Sequence, residues 1–256
     1  MKKLEALGRM MEGKNKFILA FSGGLDSTFL AFYLKKLKKE FIAATVDNGM
    51  LPDIRCIKKE AKQLGIRHRV LEIDLFSDKA FSENTEERCY FCKKAMIGAL
   101  KGLKDEMGYD YVIDASNISD LSTYRAGIVA LHEEGILMPL LDAEIGKRDI
   151  ERYSKEFGLA AKAPQSCLAT RVPSYTVIRK QGIEKIRGVE SEISKLGFSL
   201  VRGKIHDRLL RIQLLDNEME LAIKNQDKIN KIAKKAGFAY VTIDLEPYKI
   251  KEKLYK

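Results

Sequence analysis

The fold of this chain is decided by the stretch Phe17-Ile18-Leu19-Ala20-Phe21-Ser22-Gly23-Gly24-Leu25-Asp26-Ser27. Its first part is an apolar run typical of a buried strand, and an amphipathic helical pattern follows the second glycine. Glycines have no Cβ, so the backbone between strand and helix can approach a polyanion closely. The helix directs its N-terminal N–H groups and the positive end of its dipole toward the same loop. Strand, loop and helix together predict a phosphate-binding site at the mouth of a sheet.

Two further apolar runs extend this pattern, at residues 41–47 and 111–117. Each ends in polar residues, where an open α/β sheet keeps its ligand site. We assign Val46 and Asn117 to nucleotide binding there, although Asp47 and Asn117 are equally compatible with ordinary turn chemistry. We predict a doubly wound, mostly parallel α/β sheet over residues 1–165 and a small α+β domain over residues 166–256.

The loop at 22–27 lacks the Lys of a Walker A motif and the third Gly of the dinucleotide fingerprint. It resembles instead the PP-loop of the ATP pyrophosphatases. This resemblance implies that an oxygen of the substrate attacks the α-phosphate of ATP while the loop holds the leaving pyrophosphate. It assigns ATP contacts, and through the aspartate Mg²⁺, to Ser22, Gly23, Gly24, Asp26 and Ser27. The alternative for Asp26 is a first-turn residue that only complements the helix dipole.

Composition restricts the class of protein. The chain has 256 residues, of which 45% are hydrophobic and 32% charged, as in a soluble globular protein. It has no apolar run of about 18 residues, so we expect no membrane partner and a cytoplasmic location. The net charge of +10 is spread over lysine-rich helix faces. We do not expect a nucleic acid partner, although the charge is compatible with one.

The cysteines indicate a metal or redox site. Cys89 and Cys92 have the Cys-x-x-Cys spacing, and Arg88 and Lys93 beside them favour the thiolate form. The pair alone supplies too few ligands for a closed zinc site, and Cys167 is the obvious third. Three thiolates suit a cubane cluster with one iron left without a protein ligand. We expect Cys56 to be a small buried hydrophobic residue, and the same interpretation is the alternative for one or more of the other cysteines.

Three motifs then carry a resemblance to the LarE family. They are Arg-Cys-Tyr-Phe-Cys-Lys at 88–93, Tyr-Arg-Ala-Gly at 124–127 and Cys-Leu-Ala-Thr-Arg at 167–171, in the family's order after the PP-loop. LarE enzymes are ATP-dependent sulfur transferases of nickel-pincer nucleotide biosynthesis. The resemblance implies adenylylation of pyridinium-3,5-biscarboxylic acid mononucleotide, followed by sulfur insertion to give a thiocarboxylate. Its expected cofactors are ATP, Mg²⁺ and a [4Fe-4S] cluster.

The family uses two sulfur chemistries. In one, the cysteine matching Cys167 attacks the acyl-adenylate and sacrifices its own sulfur. In the other, that cysteine and a Cys-x-x-Cys pair hold the cluster, and sulfide on its open iron is the nucleophile. Because Cys89, Cys92 and Cys167 are all present, we favour the cluster type, supplied by sulfide or another sulfur donor.

The resemblance also assigns roles to basic residues. Arg125 and Arg171 match positions that contact phosphate or acyl-adenylate, and either is equally compatible with a structural ion pair. Arg202 and Lys204 resemble the basic pair that grips the substrate phosphate, with Lys replacing one Arg. The chain departs from the family at Gln213, an acidic position there, and at residues 247–251, where a Gly-Tyr-Arg-x-Gly-Ser type of segment is usual.

We therefore assign Cys167, Asp26 and Arg171 to catalysis and expect a small-molecule nucleotide substrate and a homo-oligomer. One competing interpretation is a tRNA thiolase of the PP-loop class. The chain has no second zinc-type cysteine pair and no aromatic-basic RNA module to support it. Another is a non-catalytic iron–sulfur protein, which leaves the PP-loop unexplained.

Overall fold

The computed structural model describes residues 2–122, 126–160 and 166–248 of the chain. This part of the chain divides into two compact units. Unit 1 comprises Met1–Gly49, Asp53–Phe81 and Glu87–Lys162, and unit 2 comprises Met50–Pro52, Ser82–Glu86 and Ala163–Lys256. The mixed α/β class predicted from the sequence is confirmed. The predicted domain boundary between residues 165 and 166 adjoins residues 161–165, which lie outside the described residues.

Unit 1 is built on a parallel sheet. Its strands, within the described residues, are β1 (Lys16–Ala20), β2 (Glu40–Asp47), β3 (His68–Glu72) and β4 (Tyr111–Ile113), in the order β3-β2-β1-β4. Phe17, Ile18 and Leu19 of β1 are fully buried, as expected for a strand covered on both faces. The predicted strand at 111–117 ends at Ile113, so Asp114 and the residues after it form a loop at the carboxyl edge of the sheet.

Helices follow the strands of unit 1. Their bounds are α1 (Lys2–Met10), α2 (Leu25–Lys36), α3 (Ile54–Gln63), α4 (Lys79–Ser82), α5 (Arg88–Met107), α6 (Ala126–Glu133), α7 (Pro139–Asp142) and α8 (Lys147–Glu156). Asp53 is the N-cap of α3, and its carboxylate accepts a hydrogen bond from the Arg55 N–H. Gly108 caps the C-terminus of α5 with a left-handed φ of 64°.

Unit 2 is a smaller α+β unit. It contains α9 (Lys180–Ser194), β5 (Arg202–His206), β6 (Leu209–Gln213), α10 (Met219–Lys224), α11 (Gln226–Lys235) and β7 (Tyr240–Ile243). In the described sequence, β5 pairs antiparallel with β6, and β6 pairs parallel with β7. The sequence pattern over 217–235 predicts one continuous helix, but in the structure it is interrupted at Asn225, between α10 and α11.

Two short segments from the first half of the chain complete unit 2. The backbone N–H of Leu168 donates to the carbonyl of Met50 (2.9 Å), and that of Ile178 donates to the carbonyl of Ser82 (2.8 Å). The side chain of Asn84 donates to the Pro173 carbonyl at 2.7 Å. A boundary drawn only along the sequence misses these segments. Among the described helices, none has the length and apolar character needed to cross a membrane.

Candidate active site

The loop at 22–27 is held by contacts among its own residues. The hydroxyls of Ser22 and Ser27 lie 3.1 Å apart, and Ser27 Oγ also donates to the Gly24 carbonyl at 3.1 Å. Gly23 has a φ of +70°, and a Cβ there would lie 3.0 Å from the Ile57 side chain. Gly24 is the N-cap of α2 and has no side chain to cap it, which suits a helix that receives an anion.

The structure brings the predicted residues Asp26 and Asn117 together. Asn117 is fully buried, and its Nδ2 donates to Asp26 Oδ2 at 3.0 Å. The Oδ1 of Asn117 accepts a hydrogen bond from the Ser119 N–H, and Asp120 accepts one from the Asn117 N–H. Asn117 therefore performs turn chemistry and orients Asp26 at the same time.

The end of β2 supplies a different set of contacts. The side chain of Val46 is buried in the core. Asp47 accepts a hydrogen bond from the Gly49 N–H at 3.0 Å, which supports the turn interpretation of this residue. The next residue, Asn48, is buried and donates a hydrogen bond to the sulfur of Cys92 at 3.2 Å. In the sequence, Asn48 is marked only by its place at a strand end, which does not reveal its contact with Cys92.

Cys89 and Cys92 lie one turn apart on α5, so both thiols project from neighbouring faces of one helix. Cys89 is exposed and Cys92 is half-buried. The lysines that follow are paired with carboxylates: Lys93 Nζ lies 3.1 Å from Asp114 Oδ2, and Lys94 contacts Glu134. Their charge is thus shared with acidic partners rather than directed at the thiols alone.

Asp114 is a buried carboxylate at the end of β4. Burial raises its pKa, but the Lys93 ammonium and the hydrogen bonds from Ser116 outweigh burial and lower the pKa below its ordinary value. Asp114 is therefore a charged anchor between β4 and α5. Apolar strand patterns do not reveal such a residue, because its partner lies on another element.

Unit 2 presents Cys167 on its surface, directly before the 3₁₀ turn Leu168–Arg171. Arg171 is buried and donates through Nε to Glu190 Oε1 at 2.6 Å and through Nη1 to Ser166 Oγ at 2.7 Å. The same Glu190 oxygen accepts the Gly203 N–H at 2.8 Å. Of the two interpretations of Arg171, the structure contains the ion pair, with Glu190 as its partner. A contact of Arg171 with the substrate stays a prediction.

Strand β5 carries the predicted phosphate-binding pair. Arg202 is buried, whereas Lys204, two residues along the same face, is half-buried. Burial lowers the pKa of Arg202, and the nearby charge of Arg171 lowers it further. Gln213 donates to the Glu246 carbonyl at 3.1 Å. Arg125 and the departure at Lys249 lie outside the described residues.

Within the described residues, the four cysteines do not come together as an iron–sulfur ligand set. Cys56, Cys89, Cys92 and Cys167 all lie in the described part of the chain as thiols rather than disulfides, and three soft thiolates are the ligands such clusters use. Over residues 2–122, 126–160 and 166–248, no group of three His, Cys, Asp or Glu side chains forms a metal site. The ligand set of Cys89, Cys92 and Cys167 therefore stays a prediction. Cys56 is exposed, so the expectation that it is a buried hydrophobic residue is wrong.

Comparison with known proteins shows which family and which full-length relatives the chain resembles. Residues 1–121 match the PP-loop domain family. The chain is 32% identical to an uncharacterized protein of Synechocystis sp., covering 96% of this chain and 94% of the relative. It is 30% identical to an uncharacterized protein of Methanocaldococcus jannaschii, covering 97% and 98%. It is also 28% identical to the pyridinium-3,5-bisthiocarboxylic acid mononucleotide synthase of Lactiplantibacillus plantarum, covering 95% and 90%.

These relatives match nearly the whole chain, whereas the PP-loop domain match ends within unit 1. The similarity therefore includes the cysteine segments and unit 2 as well as the ATP-binding loop. An ATP-using, sulfur-transferring enzyme with a small-molecule nucleotide substrate accounts for both parts. The chain belongs to the LarE family of PP-loop proteins.

Proposed function

We propose that this enzyme adenylylates a carboxylate of pyridinium-3,5-biscarboxylic acid mononucleotide and replaces its oxygen with sulfur. The single observation that carries the proposal is similarity along almost the whole chain to a synthase of the corresponding bisthiocarboxylic acid. The interlocked loop of Ser22 and Ser27 and the oriented Asp26 support the ATP half of the reaction.

The first step forms the acyl-adenylate. A carboxylate oxygen attacks the α-phosphorus of ATP, the bond to the bridging oxygen breaks, and pyrophosphate leaves with that electron pair. The loop residues Ser22, Gly23, Gly24 and Ser27 hold the leaving group. Asp26, oriented by Asn117, would hold Mg²⁺, which would neutralise the phosphate charge.

The second step inserts sulfur. Hydrogen sulfide anion attacks the acyl carbon, the carbon–oxygen bond to AMP breaks, and a thiocarboxylate, AMP and one proton are released. A [4Fe-4S] cluster held by Cys89, Cys92 and Cys167 would supply an open iron as the site for this sulfide. Arg202 and Lys204 hold the substrate phosphate, and Arg125 contacts the phosphates or the acyl-adenylate. Arg171 supports the Cys167 segment through Ser166.

The test starts from anaerobically purified protein supplied with the biscarboxylic mononucleotide, ATP, Mg²⁺ and sulfide. We expect AMP, pyrophosphate and a thiocarboxylate product in equal amounts, over several turnovers per chain. Failure to form AMP and pyrophosphate with this substrate would reject the proposal, and a tRNA substrate supplied in parallel tests the thiolase alternative.

The mass of the intact protein after turnover separates the two sulfur sources. An unchanged mass with several turnovers supports external sulfide. Loss of the Cys167 sulfur, leaving dehydroalanine after a single turnover, would establish the sacrificial route instead.

A further inference from the structure

Thr45 carries a buried hydroxyl in β2, the strand beside the phosphate loop. It is the only hydroxyl residue in the apolar run at 41–46, and 2% of its surface is exposed. Its Oγ1 donates a hydrogen bond to the Phe21 carbonyl at 2.6 Å. Phe21 lies between the end of β1 and Ser22, the first residue of the loop. The hydroxyl therefore holds the peptide group through which the chain enters the loop.

This contact occurs where β1 leaves the sheet. The two strands pair in register as far as Ala20 and Ala44, and the Phe21 N–H still donates to the Ala44 carbonyl at 2.9 Å. The Phe21 carbonyl then accepts from the Thr45 side chain. Because a buried carbonyl needs a hydrogen-bond partner, the hydroxyl lets the chain turn away from β2 without leaving this acceptor unsatisfied.

His68 on β3 determines how the Thr45 hydroxyl is oriented. Its Nε2 lies 2.8 Å from Thr45 Oγ1. The hydroxyl has a single proton, and it donates that proton to the Phe21 carbonyl, which can only accept. Nε2 must therefore carry a proton of its own and donate it to Oγ1. Burial lowers the pKa of His68 and the charge of Lys58 lowers it further, so in mildly alkaline solution the ring is neutral, with its proton on Nε2.

We infer that Thr45 is a positioning residue for ATP, with His68 orienting its hydroxyl. The Phe21 carbonyl and the Ser22 N–H belong to one planar peptide group and point in opposite directions. Holding the carbonyl on Thr45 therefore directs the Ser22 N–H away from Thr45, at the start of the loop expected to receive phosphate. The inference rests on the ATP half of the proposed function and does not depend on the source of sulfur.

The experiment compares the wild type with Thr45→Val, Thr45→Ser and the control Tyr109→Phe. Valine keeps the shape of threonine without the hydroxyl, whereas serine keeps the hydroxyl. The control removes a buried hydroxyl that donates to Glu40 at 2.9 Å. Glu40 is the first residue of β2, so this bond lies at the end of the strand opposite the loop. We measure the affinity for ATP with Mg²⁺ by calorimetric titration, pyrophosphate formation with the biscarboxylic mononucleotide, and the thermal midpoint.

Thr45→Val should bind ATP roughly 3- to 10-fold more weakly, the worth of one hydrogen bond. It should form pyrophosphate at least about tenfold more slowly, because the leaving group is held in a displaced loop. Thr45→Ser should restore both values to within about twofold of the wild type. Tyr109→Phe should lower the thermal midpoint by about 2–4 °C, as Thr45→Val does, but keep the wild-type ATP affinity. A merely structural role of Thr45 would make these two variants alike in ATP affinity.

The orientation of the hydroxyl can be tested by nuclear magnetic resonance, since the chain has three histidines. Long-range proton–nitrogen spectra of the imidazole rings, assigned with His68→Gln, should show His68 of the wild type protonated on Nε2 alone. Thr45→Val should lose this single tautomer, because Nε2 no longer has its acceptor. A proton on Nδ1 in place of Nε2 in the wild type would overturn the inference, whether or not Thr45→Val folds.

The readouts separate failure of this inference from failure of the proposed function. Equal ATP affinity and equal pyrophosphate formation in the wild type and Thr45→Val would reject the role of Thr45 and leave the proposed function standing. If the wild type binds ATP but forms no pyrophosphate with the mononucleotide, the proposed function is rejected and the ATP affinities still decide the role of Thr45. Absence of ATP binding by the wild type would reject both.

Discussion

The loop at 22–27 and the segment at 166–171 are both irregular backbone beside a helical turn, yet they are held differently. Ser22, Gly24 and Ser27 bond to one another within the loop. The segment before and after Cys167 is instead tied through Arg171 to Glu190 and from there to Gly203. Contacts between near neighbours produce a motif that can be recognised in the sequence. A contact with a residue far along the chain produces no such motif.

The largest expected effect is on the free energy of unfolding, and it comes from removing Glu190, the distant partner of Arg171. Replacing Glu190 with Ala leaves Arg171 buried without its carboxylate, so we expect the free energy of unfolding to fall by about 3–5 kcal/mol. Urea denaturation measures this change. The control Glu192→Ala removes an exposed carboxylate paired with exposed Lys195 and should stay within about 0.5 kcal/mol. Equal values for the two variants would show that the buried pair does not anchor the segment.

The next effect concerns the loop itself. Asp26→Asn keeps the shape of the side chain but removes the charge expected to hold Mg²⁺, so pyrophosphate formation should drop about 100-fold or more. A surface aspartate at the end of α5, Asp105, provides the control variant Asp105→Asn, which should retain the wild-type rate. If Asp26→Asn retained most of its activity, the helix-dipole interpretation of this residue would be correct.

Two glycine substitutions separate backbone strain from crowding in the loop. Gly13 and Gly23 have nearly the same positive φ, 72° and 70°, but a Cβ at Gly13 meets open space and one at Gly23 meets Ile57. Alanine at either position should cost about 1–2 kcal/mol of stability through strain. Only Gly23→Ala should also weaken ATP binding, by about tenfold in calorimetric titration. Equal ATP affinity in both variants would contradict the close packing of the loop.

The smallest effect is a pH dependence near the loop. Thr45 Oγ1 donates to the Phe21 carbonyl and lies 2.8 Å from His68 Nε2. Burial lowers the pKa of His68, and the charge of Lys58 lowers it further. The unfolded chain therefore takes up the proton first, and stability should decrease as the pH falls below about 6.5.

Thermal midpoints between pH 5 and 8 would measure this dependence. His68→Gln, which keeps a donor for Thr45, should flatten that part of the profile. An unchanged slope would assign the dependence to other groups.

The sequence predicted well those features that depend on near neighbours. The strand at 41–47 and the loop before α2 follow from an apolar run and from paired glycines. The interruption at Asn225 has a weaker signal, because helical periodicity continues through it.

The site was less predictable where partners are far apart in sequence. Asn117 was found as a strand-end residue, but its hydrogen bond to Asp26 depends on the pairing of β4 beside β1. Glu190 and Asn48 had no distinguishing pattern, since each acts through a residue on another element. The exposure of Cys56 was missed because periodicity does not say how deep a helix is buried.

The use of residues 50–52 and 82–86 in unit 2 has a consequence for biosynthesis. These segments leave the ribosome long before Leu168 and Ile178, whose backbone N–H groups donate hydrogen bonds to the carbonyls of Met50 and Ser82. The strands of unit 1 are synthesised early. Unit 2 can complete its fold only when most of the chain has been made, because its contacts join residues far apart in sequence. A nascent chain that stops near residue 160 would therefore leave the Met50 and Ser82 carbonyls without the N–H donors that they have in unit 2.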